Sequence, residues 1–278
     1  MLDLYEKTTF GCSELITKQY STSFSLGIKT LHKSLHTPIY AIYGFVRYAD
    51  EIVDTFHEHD KAKLLAHFKE ETYRAIKEKI SLNPVLHSFQ KVVHQYNISL
   101  EHIEAFLYSM EMDLYKKDYD ENKYKQYIYG SAEVVGLMCL HVFCEGNNEL
   151  YKYLEKPAKS LGAAFQKVNF LRDMKSDYNE RGRVYFPHVN FTKFDSEVKK
   201  LIEEDIQKDF DDAYQGIMKL PKKARAGVYL AYIYYLKLFK KIKNSSTSQV
   251  LSERIRIPDF KKILLLVGTY FKIKLNYV

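Results

Sequence analysis

Two acidic clusters lie inside stretches of sequence whose other residues have the apolar periodicity of buried helices. The first spans Asp50–Asp54 and the second spans Asp173–Asp177. Each cluster has two aspartates four residues apart, and an α-helix completes a turn in about 3.6 residues. Both carboxylates of a pair therefore lie on one helix face, where like charges repel each other. A fold that buries these faces has to supply cations, and divalent ions bound by carboxylate oxygens do so where a ligand carries phosphates.

The rest of the sequence predicts an almost all-α protein. Only 11 Gly and 6 Pro occur among 278 residues, and few stretches alternate with the two-residue period of a strand. A hydrophobic share of 46% supports a substantial core. Because we find no repeat and no linker rich in Gly, Pro or Ser, we predict one domain over residues 1–278.

Capping residues and helix breakers predict where the helices begin and end. Thr37-Pro38 is typical of an N-cap followed by proline at the first helical position, so it predicts the start of the helix that carries the first cluster. The predicted helices cover 38–57, 61–80, 84–96, 99–114, 122–143, 149–177, 195–219, 222–243 and 258–274. The longest predicted loop, 178–194, follows the second cluster directly, and loops of this length in compact domains are often functional.

Charge and cysteine content indicate which partners the protein binds and which cellular compartment it occupies. A net charge of +7 favours anionic ligands, but the basic residues are interleaved with Glu and Asp, so we expect no nucleic-acid partner. The three cysteines have neither the count nor the spacing of a disulfide framework or a zinc site. Residues 1–20 contain no continuous apolar segment of the kind found in signal peptides. We therefore expect a cytoplasmic protein.

Membrane contact is expected only at the periphery. The apolar runs, such as 227–236 and 263–271, have about half of the ~20 residues that cross a bilayer, so we predict no membrane span. Residues 258–278 combine four lysines with apolar side chains, a composition compatible with contact at the inner membrane surface. We favour the other interpretation of this segment, a terminal helix that packs on the core.

Each acidic cluster belongs to a longer polar stripe on its helix. At about 100° per residue, Tyr43, Arg47, Asp50 and Asp54 share one sector, which we call the first ribbon. The second ribbon consists of Gln166, Asn169, Asp173 and Asp177, with Arg172 at its edge. Both ribbons have apolar residues on either side. Two such ribbons facing each other would line a cavity.

A similar spacing elsewhere serves as a control. Asp205 and Asp209 are also four residues apart, but charged and polar residues surround them, so we interpret them as a solvent-facing pair without a chemical role. Two interpretations stay open for Arg47 and Arg172, which lie next to the two ribbons. Each arginine either pairs with the neighbouring acids or binds phosphate oxygens.

Five segments together resemble the squalene and phytoene synthase family. They are 20–24 (YSTSF), 40–54 (YAIYGFVRYADEIVD), 132–136 (AEVVG), 166–177 (QKVNFLRDMKSD) and 182–187 (GRVYFP). The resemblance covers most of the chain. It implies a single-domain, all-α isoprenoid synthase fold, a helical bundle around a central hydrophobic cavity. Glu133 and Val134 depart from the small residues common in the family, and Gln249 stands where some relatives have tyrosine.

The resemblance also implies roles for individual residues. The residues expected to hold Mg²⁺, or alternatively Mn²⁺, are Asp50, Asp54, Asn169, Asp173 and Asp177. Those expected to contact the diphosphate or the reacting allyl group are Ser21, Ser23, Tyr43, Arg47, Gln166, Asn169, Arg172, Arg183 and Tyr185. The catalytic group consists of Asp50, Asp54, Asp173, Asp177, Arg47 and Arg172.

The implied reaction is the head-to-head condensation of two prenyl diphosphates through a cyclopropyl diphosphate, with release of diphosphate. The form that we favour is phytoene synthesis from geranylgeranyl diphosphate, as in the bacterial enzymes, without NADPH, since the sequence has no glycine-rich dinucleotide fingerprint. The alternative is squalene or dehydrosqualene synthesis from farnesyl diphosphate. A different class, a non-catalytic interaction or assembly protein of the same fold, would be expected to lose the acids that this chain retains.

Overall fold

Twelve α-helices and one π-helical turn make up the regular structure of the residues that can be described. The computed structural model describes residues 1–115, 119–187, 189 and 194–258, apart from the side chains of 180 and 181. The helices are α1 (Leu2–Tyr20), α2 (Thr22–Thr30), α3 (Lys33–Asp54), α4 (Lys61–Glu78), α5 (Pro84–Tyr96), α6 (Leu100–Tyr115), α7 (Glu121–Ile128), α8 (Val134–Cys144), α9 (Asn148–Arg181), α10 (Ser196–Ile217), α11 (Lys222–Lys243) and α12 (Thr247–Ser252). No strand occurs in these ranges, so the all-α prediction is confirmed.

Most predicted helices are present, and the bounds of α5 and α11 agree with the predicted ones. Sequence reasoning missed α1, α2 and the short α12, because the polar run at 244–248 is typical of a helix break. A capping box between Ser246 and Gln249 starts α12. The predicted helix 258–274 lies outside the described residues except for Pro258, as does the C-terminal segment expected to contact a membrane.

The helix that carries the first ribbon begins earlier than predicted. α3 starts at Lys33, after His32, whose ring nitrogen accepts a hydrogen bond from the Ser34 amide at 3.3 Å. Pro38 is therefore inside the helix, where its missing N–H removes one helical hydrogen bond. The prediction that Pro38 occupies the first helical position was wrong, because a cap five residues upstream starts the helix.

The helix that carries the second ribbon continues past the predicted start of the long loop. α9 ends at Arg181, and Gly182 follows in the left-handed conformation with φ +62°. The Arg183 amide donates to the Asp177 carbonyl at 2.8 Å, which closes the last turn as glycine C-caps do. The loop predicted from residue 178 therefore begins at 182. This turn places Arg183 directly beside the second ribbon.

The predicted helix 122–143 is interrupted by the π-helical turn Tyr129–Glu133 between α7 and α8. At its start Gly130 lies so close to α6 that an added Cβ would be 2.4 Å from the Ala105 carbonyl oxygen. By length and composition alone, Glu121–Cys144 could span a membrane, but 56% of its apolar window is buried inside the protein. Packing in the core accounts for its apolar composition.

Two groups of buried apolar residues surround the helices that carry the ribbons. Around α3, Phe45 stacks on Phe89 with ring centroids 3.9 Å apart. Around α9, buried side chains of α10 and α11 include Phe210 and Phe239, stacked at 5.6 Å. α8 packs against both α3 and α9. The two ribbon-bearing helices are therefore held on either side of a common space.

Close packing of α9 on α10 depends on a glycine. A Cβ at Gly216 would lie 2.2 Å from the Pro157 Cβ, which belongs to a rigid ring. We expect Gly216→Ala to lower the free energy of unfolding by about 1–3 kcal/mol, because the helices have to separate. Gly11→Ala is the matched control, since Gly11 is exposed in α1 with nothing within 4 Å of an added Cβ. Urea unfolding of both variants measures the difference, and equal stabilities would contradict the packing argument.

Candidate active site

The first ribbon lies on the wall of the central cavity. Tyr43, Arg47 and Asp50 of α3 all line it. Arg47 forms an ion pair with Glu51, and its Nη1 lies 3.9 Å from Asp50 Oδ2. Its guanidinium carbon is 4.5 Å from the centre of the Tyr20 ring, a cation–π distance. The buried Nε of Arg47 has no hydrogen-bond partner among the described residues, so it is a donor available to an anion in the cavity.

The second ribbon contributes amides to the same cavity. Gln166 and Asn169 line it, together with Tyr235 of α11. The Tyr235 hydroxyl donates to Asn169 Oδ1 at 3.3 Å, and the Tyr235 ring stacks on Phe165 at 3.9 Å. This contact fixes the orientation of the Asn169 amide. Sequence reasoning missed Tyr235, because its role depends on the approach of α11 to α9.

Farther along α9, two arginines engage Asp173. The Nε of Arg172 donates to both carboxylate oxygens at 3.1 Å. Arg254, from the segment after α12, places its Nε 2.7 Å from Asp173 Oδ1. For Arg172, the salt-bridge interpretation is thus present in this structure. The segment 251–254 also resembles the family's C-terminal tail, but the sequence alone assigned no catalytic role to Arg254, which lies 81 residues from its partner.

A buried arginine connects the first ribbon to the end of the second. Arg183 Nη1 lies 3.5 Å from Asp54 Oδ1 and 3.4 Å from Asp113 Oδ1. The same nitrogen is 3.2 Å from the Tyr185 hydroxyl. Arg183, Tyr185 and the buried Asp177 also line one small hollow. The structure therefore brings Asp54 and Tyr185 together at the guanidinium group of Arg183, and Asp177 lines the adjoining hollow.

Asp113 of α6 is the acid that sequence reasoning missed. It is buried, and the Tyr127 hydroxyl donates to its Oδ2 at 2.8 Å. Its backbone carbonyl accepts from Arg183 Nη2 at 2.8 Å. The only sequence signal was one acid between Met112 and Leu114 on an otherwise apolar face. Without a second acid one turn away, that signal does not distinguish Asp113 from an ordinary surface residue.

Burial and neighbouring charge raise the pKa of two carboxyl groups here. Burial raises the pKa of Asp50 to about 7, Arg47 opposes the shift, and the charges of Asp54 and Asp113 add to it. Burial likewise raises the pKa of Asp113 to about 6 against the effect of Arg183. The Asp50 side chain is 34% exposed and lines the cavity.

These groups fit a divalent cation in chemistry and charge. Carboxylate and amide oxygens are the ligands that Mg²⁺ and Mn²⁺ favour. Burial is the main cause of the raised pKa of Asp50, and the neighbouring charges of Asp54 and Asp113 add to it, so a cation beside this carboxyl group would favour its charged form. In the described part of the chain, however, no three His, Cys, Asp or Glu side chains form a group that could hold an ion. Asp54 and Asp173 already contact arginines, so a cation competes with Arg183, Arg172 and Arg254 for them.

Beyond the ribbons the cavity is apolar, with a volume of about 350 Å³. Val135, Leu140 and Phe165 line it. Four neighbouring apolar side chains of α8 and α9 belong to the core and do not: Leu137, Met138, Val168 and Leu171. Ser131 and Ala132 of the π-helical turn complete one side. The cavity thus has a polar mouth and an apolar interior.

The two predicted serines lie apart from each other. Ser21 caps α2 by accepting from the Phe24 amide at 3.2 Å, and it also hydrogen-bonds Tyr43. Ser23 faces a small side pocket that it shares with Tyr234 and Tyr235. The structure therefore brings Ser21 to the first ribbon but does not bring Ser23 to the central cavity.

The control pair is only partly solvent-facing. Asp205 is 55% exposed, as predicted, but Asp209 is 18% exposed and lies 2.7 Å from Lys167 Nζ. Lys167 of α9 forms ion pairs with both aspartates. The interpretation of Asp209 as fully solvated was wrong, because α9 carries a lysine on the face that meets α10.

Comparison with known proteins assigns the family. A model of the squalene/phytoene synthase family matches residues 17–261. The chain belongs to the squalene/phytoene synthase family. The phytoene synthase of Arthrospira platensis is 27% identical over 277 residues, which cover 90% of this chain and 89% of that protein. The 4,4'-diapophytoene synthase of Staphylococcus haemolyticus is 26% identical over 199 residues, covering 68% and 66%.

Solved structures agree in fold. A dehydrosqualene synthase with bound ligand superposes with a TM-score of 0.81 at 22% identity, covering 97% of this chain and 98% of that one. The squalene synthase HpnC of Alicyclobacillus acidocaldarius gives 0.75 at 20% identity, covering 86% and 95%. The resemblance identified in the sequence is thereby confirmed. Membership places this squalene/phytoene synthase family protein among the prenyltransferases of isoprenoid biosynthesis.

The raised pKa of Asp50 predicts how pH affects the metal-free protein. Because the folded value of about 7 exceeds the ordinary 3.8, the folded protein holds this proton more tightly than the unfolded chain does. The stabilising contribution is present below about pH 4 and is lost as the pH rises through 7. We expect the free energy of unfolding, measured with urea and EDTA, to fall between about pH 4 and pH 7, the two values that bound the shift. Asp50→Asn should flatten this dependence, and parallel curves for both proteins would refute the assignment.

Proposed function

We propose that this protein is a phytoene synthase, which condenses two geranylgeranyl diphosphates head to head through a cyclopropyl diphosphate in the presence of Mg²⁺. One observation carries the proposal. An apolar cavity has Asp50, Arg47 and the amides of Gln166 and Asn169 in its lining, which matches a substrate with an anionic head, held through a metal ion, and a long hydrocarbon tail. Family membership and the phytoene synthase relatives support the same chemistry.

The polar residues have different proposed roles in binding the metal ion and in ionising the prenyl diphosphate. The proposed ligands of Mg²⁺ are Asp50, Asp54, Asn169, Asp173 and Asp177. Bound Mg²⁺ would act as a Lewis acid that stabilises the charge of the leaving diphosphate. Arg47 offers its unpartnered Nε to a diphosphate oxygen, and Arg172 adds a second fixed positive charge. Arg183 holds Asp54 in place through their ion pair.

The walls of the cavity protect the allylic cation that ionisation leaves. Apolar side chains exclude the water that would quench it. The stacked rings of Phe165 and Tyr235 present aromatic faces beside the mouth, where a cation is stabilised by the ring electrons. Burial raises the pKa of Tyr43 to about 12, so this hydroxyl keeps its proton at neutral pH. We therefore assign the final proton abstraction to the released diphosphate rather than to Tyr43.

The second candidate is the same reaction on farnesyl diphosphate, giving squalene or dehydrosqualene. The dehydrosqualene synthase structure and the 4,4'-diapophytoene synthase relative favour it. Incubating the purified protein with each diphosphate and Mg²⁺, with and without NADPH, and extracting the hydrocarbon decides between the two. We expect phytoene without NADPH, and none after EDTA treatment. A product formed from farnesyl diphosphate alone would contradict the proposed chain length of the substrate. No product from either diphosphate would favour the non-catalytic alternative.

The two acidic clusters should both be needed for turnover. We expect Asp50→Ala and Asp173→Ala each to lower turnover by at least about a hundredfold, because the leaving diphosphate loses charge stabilisation. Product formation under saturating Mg²⁺ measures this, and circular dichroism should show unchanged helical content. Asp205→Ala is the matched control, since Asp205 has the same spacing but lies outside the cavity. If either variant turned over at nearly the rate of the control, the assignment of these aspartates as metal ligands would be wrong.

A further inference from the structure

Protein groups contact the guanidinium group of Arg47 on three sides. Its Nη2 donates to the Glu51 carboxylate, one turn farther along α3. Its flat face lies over the Tyr20 ring, with the guanidinium carbon 4.5 Å from the ring centre. Its Nη1 approaches Asp50, but at 3.9 Å from Oδ2 it is too far for a hydrogen bond. The ion pair with Glu51 is therefore the contact that fixes the position of this group.

Glu51 itself lies outside the central cavity. It does not occur among the described residues that line the cavity, whereas Arg47 and Asp50 do. One step along an α-helix turns the side-chain direction by about 100°, so Glu51 and Asp50 point in different directions. The Glu51 side chain is 16% exposed and also accepts hydrogen bonds from the side chains of Tyr20 and Thr55. Glu51 is thus held in place at the contact between α3 and the end of α1.

The charge of Glu51 is unfavourable for the first ribbon taken by itself. Glu51 is a third acid within five residues, beside Asp50 and Asp54. Like charges this close together repel each other. A single ion pair between neighbouring turns of a helix adds little to stability, so helix stability is a weak reason for an acid at this position. The clear effect of Glu51 in the structure is the position of Arg47.

Without Glu51, Arg47 has another acid within reach. Its Nη1 would need to move by only about 1 Å to make a hydrogen bond to Asp50 Oδ2. An arginine paired with Asp50 competes with a cation for that carboxylate, and its own N–H groups are no longer free for phosphate oxygens. The contact with Glu51 prevents this pairing, because it holds the guanidinium group through Nη2.

We propose that Glu51 is a positioning residue, which keeps Arg47 from pairing with Asp50 and leaves its other N–H groups for the anionic head of the substrate. Asp50 then stays available to a metal ion. Arg47 binds a diphosphate oxygen without first losing the freedom of a long side chain, which lowers the cost of binding. This inference rests on the proposed function, since it assumes that a diphosphate lies beside the first ribbon.

A double-mutant cycle tests whether Glu51 acts through Arg47. We expect Glu51→Ala to lower kcat/KM about tenfold, since immobilising one long side chain on binding costs roughly that factor. The Mg²⁺ concentration for half-maximal turnover should rise, because Arg47 then competes for Asp50. Arg47→Ala/Glu51→Ala should have the same kcat/KM as Arg47→Ala. An equal loss from Glu51→Ala in both backgrounds would show a role in the fold alone and would overturn the inference.

Two further variants are matched to Glu51→Ala. Glu51→Gln keeps an oxygen that accepts from Arg47, so it should retain most of the turnover that Glu51→Ala loses. Failure of glutamine to restore turnover would contradict a role based on this hydrogen bond. Glu155→Ala removes another ion pair between neighbouring turns, with Lys159 at 2.6 Å, outside the cavity lining, and should leave kcat/KM unchanged. A loss as large as that in Glu51→Ala would show a general effect of removing an ion pair and would overturn the inference.

Binding of inorganic diphosphate distinguishes this failure from a failure of the proposed function. If the wild type binds diphosphate with Mg²⁺ in a calorimetric titration but makes no hydrocarbon, the proposed function fails and Glu51 is still tested. We expect Glu51→Ala to bind magnesium diphosphate about tenfold more weakly than the wild type. The same substitution should have no effect on binding in the Arg47→Ala background. Equal affinities of the wild type and Glu51→Ala, or no binding by the wild type, would overturn the role of Glu51.

Discussion

The arrangement of the site depends on the buried ion pairs of Arg183. A carboxylate removed from water is costly unless a partner compensates its charge. Asp54 and Asp113 come from different helices and meet at one guanidinium nitrogen of Arg183. Burial of the tyrosines around them raises the pKa of Tyr127 and Tyr185, so both remain hydrogen-bond donors to Asp113. These contacts hold α3, α6 and the end of α9 at fixed distances, and they thereby set the mouth of the cavity.

The interior of the cavity depends on a second constraint, the close approach of helices at glycines. Gly216 lets α10 contact Pro157 of α9, and Gly227 lets α11 contact Leu31. Large side chains then pack outside these contacts, as Phe210 and Phe239 do. Helices that touch at small residues on one side leave room on the other. The same helices therefore supply both a dense core and a hollow beside it.

The sequence predicted the features that repeat within one helix and missed those that depend on distant contacts. The four-residue spacing of Asp50 and Asp54 placed both on one face of α3, and the structure brings Asp50 to the cavity. Asp113 and Arg254 reach the ribbons only through the tertiary fold, so no local spacing reveals them. Likewise, nothing in the composition of the π-helical turn, YGSAE, distinguishes it from an ordinary helix. Its geometry comes from packing against α6 at Gly130.

The two ribbons differ in charge balance, which matters for the proposed magnesium ions. Asp173 contacts both Arg172 and Arg254, so its charge is already compensated. Among the described residues, Asp50 pairs with Arg47 at 3.9 Å, and the closer partner of that arginine is Glu51. Burial, together with the charges of Asp54 and Asp113, raises the pKa of Asp50 to about 7. A cation at Asp50 relieves this repulsion without displacing a close ion pair, whereas at Asp54 it competes with Arg183. One at the second ribbon has to displace arginines, which a diphosphate entering with the metal can accept as partners.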